Sequence, residues 1–175
     1  MARRFSVNME IRRIDRAITD KMEIQEIVKK GKFLHLGLID GNYPYIVPLH
    51  YGFKYCDTND TFVFYMHGAK TGHKINVIEK ASNAFIEIET DVALTSGENN
   101  PCMYGSLYSS FMGRGVVSLV DDLQEKKDGL RILMMNQTDR SFEFTEQMAS
   151  SVAVIKVVVY EYTAKARKYQ QTMQA

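Results

Sequence analysis

The sequence predicts a mainly β fold, an antiparallel β-barrel with accessory helices. Apolar runs of strand length follow one another closely, and the turn pair Asp40-Gly41 joins two of them as a hairpin. Gly113 and Gly115 interrupt a long apolar run, as the bend at a barrel corner requires. The run Val152–Val159 is strongly β-branched, which favours a final strand. We expect residues 1–175 to form one domain, because the chain contains no linker-like segment.

Accessory helices are predicted at three places. Asp20, with a glutamate three residues later, is typical of a helix start, and Gly31 fits the residue after the helix end. The helix is therefore placed over about Lys21–Lys30, within an N-terminal helical segment of residues 10–31. A strand–turn–helix pattern predicts a second helix over Gly72–Ala81. Two acids followed by leucines at helical spacing predict a third helix over residues 121–137.

The predicted strands are apolar runs, some of which alternate in polarity. They cover Phe33–Ile39, Tyr45–Phe53, Thr61–Met66, Ala84–Glu89, Leu107–Val120 and Val152–Val159. Residues Asp91–Pro101 are rich in turn formers and are predicted as a loop. Pro48 lies inside the second strand and cannot donate a hydrogen bond to a ladder. That strand is therefore an edge strand, or its backbone opens at Pro48 and presents free groups to a planar ligand.

Composition excludes several classes of partner. The net charge of +1 at pH 7 gives no general drive toward nucleic acid or an anionic membrane. Basic residues gather near both chain ends, and we interpret them as solvated terminal segments. They are Arg3, Arg4, Arg12, Arg13, Arg16, Lys165, Arg167 and Lys168.

Cys56 and Cys102 are far apart in sequence and the four histidines are scattered. We therefore expect free thiols in a reducing compartment and no metal site. No apolar run reaches the length of a membrane helix, and no signal-peptide core is present near the N-terminus. We expect a cytoplasmic protein with no membrane partner.

The stretch His67–Lys74 carries the clearest functional pattern. Lys74 falls near the start of a predicted helix, where the helix dipole disfavours a cation unless an anion lies nearby. We predict a bound phosphate, held by Lys74, by Thr71 and by the N–H groups around Gly72. The alternative for Lys74 is a solvated surface lysine. His67 ends the preceding strand, and it is either a hydrogen-bonded structural residue or a proton donor.

Three sequence motifs, taken in order, resemble the pyridoxamine 5'-phosphate oxidase-like flavoproteins, and within them the nitroimidazole-resistance (Nim) branch. The resemblance covers nearly the whole chain and implies an antiparallel split barrel of Greek-key type. It also implies a homodimer that holds FMN, or FAD, between its subunits. The motifs are Arg12-Arg13-x-Asp15-Arg16, Asp40-Gly41-x-x-Pro44-Tyr45-x-Val47-Pro48-Leu49-x-Tyr51, and Phe64-Tyr65-x-His67-Gly68-Ala69-x-x-Gly72-x-Lys74.

Carried onto this sequence, the resemblance implies three regions of flavin contact. The ring would lie along Val47, Pro48, Leu49, His50 and Tyr51. The ribityl chain and phosphate would be held by His67, Gly68, Ala69, Thr71, Gly72, Lys74 and Ile75, with His67 as the candidate catalytic residue. Tyr108, Ser109 and Ser110 would complete the site from the other subunit. The oxidase branch carries an Arg-Gln pair where this chain has Leu107-Tyr108, which favours the Nim-like branch.

The resemblance implies a flavin-dependent oxidoreductase. It would take electrons from NADH or NADPH and reduce a small-molecule acceptor such as a 5-nitroimidazole. The alternative is a non-enzymatic flavin- or haem-binding protein with the same barrel, and His67 and His50 are then the candidate iron ligands. We expect substrate selection in the Asp91–Pro101 loop and in the C-terminal tail after Tyr162. The physiological substrate, the form of the flavin and the nicotinamide donor stay open at this point.

Overall fold

The computed structural model describes residue 9 and residues 11–168. Eight strands form one antiparallel sheet within these residues. The strands are β1 (Ala17–Ile18), β2 (Leu34–Asp40), β3 (Tyr43–Leu49), β4 (Gly52–Cys56), β5 (Thr61–Gly68), β6 (Asn83–Thr95), β7 (Gly105–Leu119) and β8 (Ala153–Arg167).

Four α-helices accompany the sheet in this part of the chain. They are α1 (Lys21–Lys30), α2 (His73–Lys80), α3 (Leu123–Thr138) and α4 (Glu146–Ser150). Single turns of 3-10 helix cover Ile14–Arg16 and Pro101–Met103. No helix among the described residues combines the length and the apolar character that crossing a membrane requires.

The sheet closes into a barrel that is split between β3 and β4. The strand order is β3-β2-β6-β7-β8-β5-β4, with β1 paired to β8. The two edge strands are consecutive in sequence, and only His50 and Tyr51 join them. Such a link reaches at most about 11 Å, so the two edges come close together without pairing to each other in the described strands. This arrangement confirms the predicted antiparallel split barrel.

The prediction of one continuous strand over Tyr45–Phe53 is wrong only at its middle: both ends are strand, but the chain leaves the ladder at the His50–Tyr51 link. Tyr51 is fully buried and its hydroxyl donates a hydrogen bond to the carbonyl of Val28. Burying this side chain turns the backbone from one edge of the sheet to the other. Pro48 lies opposite His35 on edge strand β3. The edge-strand interpretation of Pro48 is therefore confirmed.

The bend predicted at Gly113 and Gly115 is confirmed, since the register of β7 on β8 shifts between Arg114 and Gly115. A Cβ atom at Gly115 would collide with the carbonyl of Val158, so the bulge requires glycine. The predicted loop is wrong over Asp91–Thr95, which extends β6 beyond a second register shift.

Strand β8 also runs further than predicted. It continues to Arg167, so the segment directly after Tyr162 is strand and not a free tail. The extension pairs with the start of β7, since Tyr108 lies opposite Arg167. A long β8 therefore links the two ends of the barrel.

Helix α1 begins as predicted, because the Asp20 carboxylate accepts a hydrogen bond from the Glu23 N–H at 2.8 Å. Its span, Lys21–Lys30, is the one predicted, whereas the preceding part of the 10–31 segment forms a 3-10 turn and β1 and not a longer helix. Gly31 follows the helix with extended backbone, φ −60°. Glycine is needed there because a Cβ atom would collide with the Tyr51 hydroxyl. Helix α4 was not predicted.

Aromatic side chains fill the barrel, and each contributes about 1.5–3 kcal/mol by burial. Phe62, Phe64 and Phe111 are fully buried, with ring centroids 5.0 to 6.0 Å apart. Helix α3 covers the outer face of β5, where the Tyr65 hydroxyl donates to Glu125 at 3.0 Å. This packing brings the last turn of α3 to the His50–Tyr51 link.

Candidate functional site

The candidate site starts at the N-terminus of α2. Gly72 is the N-cap residue with φ 129°, a conformation that favours glycine, and no side chain caps the helix. The first turn contains no acid. The Asn76 N–H is the first to bond inside the helix, to the carbonyl of Gly72 at 3.2 Å. The earlier N–H groups therefore point out of the helix and can bind an anion.

Lys74 lies in this first turn and is half-buried. Its ammonium lies close to Gly68, since a Cβ atom added to that glycine would be 3.0 Å from Nζ. Lys74 forms no hydrogen bond or ion pair with any described residue, and burial lowers its pKa. A half-buried cation without a counter-charge, at the positive end of a helix, predicts a bound anion.

His67 lies one residue before the end of β5, near Lys74. It forms no hydrogen bond with the residues that the structure describes, so the structural interpretation of His67 has no support from this geometry. Burial lowers the pKa of His67, and the charges of Lys74 and His50 lower it further. His67, Lys74 and His50 are therefore close enough to interact electrostatically, and together they form a basic cluster.

The β2–β3 hairpin packs against the same end of α2. His73 Nε2 lies 2.6 Å from a carboxylate oxygen of Asp40, and its ring stands edge-on to Tyr45 at 5.1 Å. His73 is therefore engaged in structure. Ala69, Lys70 and Thr71 are exposed in the turn before the helix, while the side chain of Ile75 is buried and is not open to a ligand.

The structure separates the five predicted ring contacts into two groups. Val47 and Leu49 are half-buried on β3 and Pro48 is exposed, so this edge is open to a ligand. His50 is exposed, stacks on Phe33 at 4.2 Å, and lies 3.1 Å from the carbonyl of Lys32.

Tyr51 cannot offer its side chain to a ligand, because that side chain lies in the core. Its carbonyl also accepts hydrogen bonds from Asn136 at 3.2 Å and from Gln137 at 2.7 Å. We therefore correct the expectation of a ring contact by the side chain of Tyr51.

Tyr108, Ser109 and Ser110 lie far from His67 within one chain. His67 pairs with Val154 at one end of β8, and Tyr108 pairs with Arg167 at the other. The 15 residues of β8 follow a path of roughly 50 Å. Ser109 is buried and its hydroxyl donates to Asp91 at 3.1 Å. These residues reach a flavin near His67 only if a second copy of the chain supplies them.

One group beside Pro48 was not predicted. His35, Glu87 and Glu89 place their ligand atoms within 4.8 Å of one another, a geometry that could hold a metal ion. Burial and a hydrogen bond with Glu89 raise the pKa of Glu87 to about 6, while the bond to His35 opposes that rise. The group depends on the register of β2 on β6, in which His35 lies opposite Glu87, and no local sequence pattern reveals it.

The residues present fit a flavin phosphate. The N-terminus of α2 offers free N–H groups, Lys74 supplies a positive charge, and the space around Gly72 is open, with no heavy atom within 4 Å of an added Cβ. The open edge of β3 lies next to this point because the hairpin contacts His73. A phosphate and a planar ring could therefore bind side by side.

A split barrel with a candidate phosphate site at the start of α2 is typical of a barrel protein that binds a phosphate-bearing ligand. Comparison with known proteins gives the family. The family model described as pyridoxamine 5'-phosphate oxidase matches residues 20–166, so the chain belongs to that family. This finding confirms the resemblance noted in the sequence. None of the curated proteins compared with the chain matches it.

Solved structures share the fold. A proposed 5-nitroimidazole antibiotic resistance protein from Bacteroides thetaiotaomicron is 28% identical, with 86% of each chain covered and a TM-score of 0.72. The flavocytochrome Anf3 from Azotobacter vinelandii is 17% identical, with 91% of this chain and 73% of that one covered and a TM-score of 0.72. An FAD and haem binding protein from Mycobacterium smegmatis is 13% identical, with 88% and 74% covered and a TM-score of 0.70.

Proposed function

We propose that this protein is a flavin-dependent oxidoreductase of the nitroimidazole-resistance type. It takes electrons from NADH or NADPH and reduces a small acceptor such as a 5-nitroimidazole. The observation that carries the proposal is Lys74, a half-buried cation without a partner among the described residues, at the uncapped start of α2. Family membership and the 28% identity to the Bacteroides protein support the choice of flavin and of acceptor.

The residues that would hold the flavin belong to two elements. Lys74 and the first N–H groups of α2 would bind the phosphate, and the β3 edge at Val47–Leu49 would support the ring. A bound flavin supplies the acceptance of hydride and the donation of electrons to the acceptor. His67 holds a neutral imidazole near pH 7, because its pKa is lowered, and it can give or take a proton beside the flavin.

A homodimer is part of the proposal. The Tyr108–Ser110 strand lies at the opposite end of β8 from His67, so a complete site of the predicted kind needs two chains. Large apolar side chains are exposed on the extension formed by β6 and β7: Val92 is 64% exposed and Leu94 is 71% exposed. Exposed apolar surface of this kind favours association.

Anaerobic spectroscopy tests the proposal. The purified protein, loaded with FMN or FAD, should be bleached by NADH or NADPH and recolour when a 5-nitroimidazole is added, while the nitro absorbance falls. The Lys74→Met variant should bind the flavin more weakly, and its rate of turnover should fall with the flavin bound. A protein that binds neither FMN nor FAD would overturn the proposal. A bound flavin that is reduced but is not reoxidised by any acceptor would overturn the proposed reaction and indicate a flavin carrier.

The unbonded imidazole of His67 favours a second candidate, a flavin- or haem-binding protein without turnover. Its imidazole forms no hydrogen bond with the described residues and is free to bind a metal. Two structures that share the fold are described as a flavocytochrome and as an FAD and haem binding protein. A visible spectrum separates the candidates, since haem gives a sharp Soret band that His67→Ala would remove, and flavin gives two broad bands.

A further inference from the structure

A polar cleft of about 450 Å³ lies at the end of β8 opposite to His67. Its wall combines the 3-10 turn that follows the N-terminus with the ends of β6, β7 and β8. Basic residues near the two chain ends, interpreted from sequence as solvated, meet here. The polar side chains at its wall are Arg13, Asp15, Arg16, Thr95, Arg167 and Lys168.

The charges in the cleft do not cancel. Arg13 binds Asp15 through two hydrogen bonds of 2.5 and 2.7 Å. Lys168 pairs with a glutamate of α1 at 2.5 Å. Arg16 is 4.0 Å from Asp15, which already binds Arg13, and donates only a long bond of 3.5 Å to the Tyr108 hydroxyl. Arg167 forms no hydrogen bond or ion pair with any described residue.

The backbone makes room for the Arg167 guanidinium. A Cβ atom at Gly105 would collide with Nη1 of Arg167, so glycine there allows the guanidinium to lie against the strand. Thr95 pairs with Gly105 across the ladder, and its hydroxyl oxygen is buried without a hydrogen-bond partner in the described structure. The guanidinium groups of Arg16 and Arg167 and the unbonded hydroxyl of Thr95 thus line the same cleft.

We propose that this cleft binds the phosphate or diphosphate group of an adenine nucleotide. Guanidinium groups bind phosphate oxygens in pairs of hydrogen bonds, and Arg16 and Arg167 are the two arginines in the described wall of the cleft that no close carboxylate engages. The concave shape and its volume fit a nucleotide and not a duplex, whose contacts would need an extended basic surface. The cleft is separate from the Lys74 site of the same chain, since the two lie at opposite ends of β8.

The choice of nucleotide rests on the proposed function. Arg16 contacts Tyr108, which in the proposed homodimer lies beside the flavin of the other subunit. The cleft would then take the adenylate half of FAD, or the diphosphate of the nicotinamide donor. Both sources present the same phosphate chemistry, and the experiment separates them.

The first test measures ADP binding to the purified protein by isothermal titration calorimetry, without any turnover. The wild type should bind ADP saturably, and the double variant Arg16→Gln/Arg167→Gln should bind it at least roughly tenfold more weakly. Arg140→Gln, which alters an exposed arginine packed over Phe142, should change nothing. Gly105→Ala provides a second variant that displaces Arg167 without removing charge, and it should also weaken ADP binding. Absence of ADP binding in the wild type, or equal binding in all variants, would overturn the proposal.

The second test identifies the source. If FAD supplies the nucleotide, the double variant loses affinity for FAD by roughly tenfold and keeps its affinity for FMN. If the nicotinamide does, flavin affinities stay unchanged and the KM for NADH or NADPH rises. The failure of the proposed function is distinguishable, because a protein that binds no flavin can still show ADP binding that depends on Arg16 and Arg167. Normal turnover with ADP binding unaffected by the variants would remove the cleft proposal alone.

Discussion

Helices α3 and α2 begin in opposite ways. At α3, the Asp122 carboxylate accepts the Glu125 N–H at 2.7 Å, and Glu125 adds negative charge to the first turn. At α2, Gly72 offers no side chain, and the first turn carries His73 and Lys74. A side-chain cap stabilises a helix start by about 1 kcal/mol, whereas free N–H groups remain available to a ligand. Helix α2 therefore lacks a stabilising side-chain cap at the place where its free N–H groups can bind an anion.

Lys74→Met tests this difference most directly, because it keeps most of the length of the side chain and removes its charge. A charge-assisted hydrogen bond contributes about 1.5–3 kcal/mol, so FMN affinity should fall roughly 10- to 100-fold. Fluorescence titration of FMN measures this loss. Lys70→Met, at an exposed lysine in the turn before α2, is the matched control and should bind FMN as the wild type does.

The stability of the flavin-free protein separates a binding role of Lys74 from a structural one. Lys74 is half-buried and has no counter-charge in the described structure, so its charged form is disfavoured by burial. Thermal unfolding without flavin should therefore show no loss of stability in Lys74→Met. A variant that unfolds more readily and still binds FMN normally would show that Lys74 is structural.

Asp122→Ala should give the opposite result. Loss of the cap should lower the free energy of unfolding by about 1 kcal/mol, or roughly 2–4 °C in Tm for a domain of this size. FMN affinity should stay unchanged, because α3 contributes only its far end to the site. Asp121→Ala controls for charge at the helix start without removing the cap. A loss of FMN binding in Asp122→Ala would contradict the division of roles between the two helices.

Local signals explain what the sequence could predict of the fold. The Asp20 cap, the Asp40-Gly41 hairpin and the bulge at Gly115 depend on neighbouring residues alone, and all three are confirmed. Tyr45–Phe53 was predicted as one strand because its apolar pattern continues across the link. Only the fully buried Tyr51, held by the carbonyl of Val28, reveals the break, and that contact is not local.

The candidate site follows the same rule. The position of Lys74 in the first turn of α2 could be predicted, because a strand, a glycine turn and a helix follow one another within one short segment. The proximity of His35 to Glu87 depends on the register of two separate strands. The cleft of Arg16 and Arg167 joins residues from opposite ends of the chain, so the sequence suggested only two solvated segments. Contacts between distant segments are the part that sequence patterns do not contain.

The smallest expected effect is a pH dependence of anion binding at α2. The pKa of His67 lies below its ordinary value of 6.5, so the folded protein favours the neutral ring and loses stability as the pH falls and the ring is protonated. A bound anion favours the protonated ring, which raises the pKa of His67 and strengthens binding at low pH. Sulfate is a suitable probe because its charge stays constant over this range. Its affinity should increase roughly two- to fivefold between pH 7.5 and pH 5.5.

Variants assign this pH dependence to one group. His67→Asn should give a flat profile, since it removes the titrating ring at the end of β5. His50 belongs to the same cluster, and His50→Asn should keep most of the dependence because it leaves the His67 ring in place. Proton NMR of the His67 ring, with and without sulfate, measures the pKa directly. A pKa that does not rise with sulfate would place the anion away from His67 and leave Lys74 and the start of α2 as its only contacts.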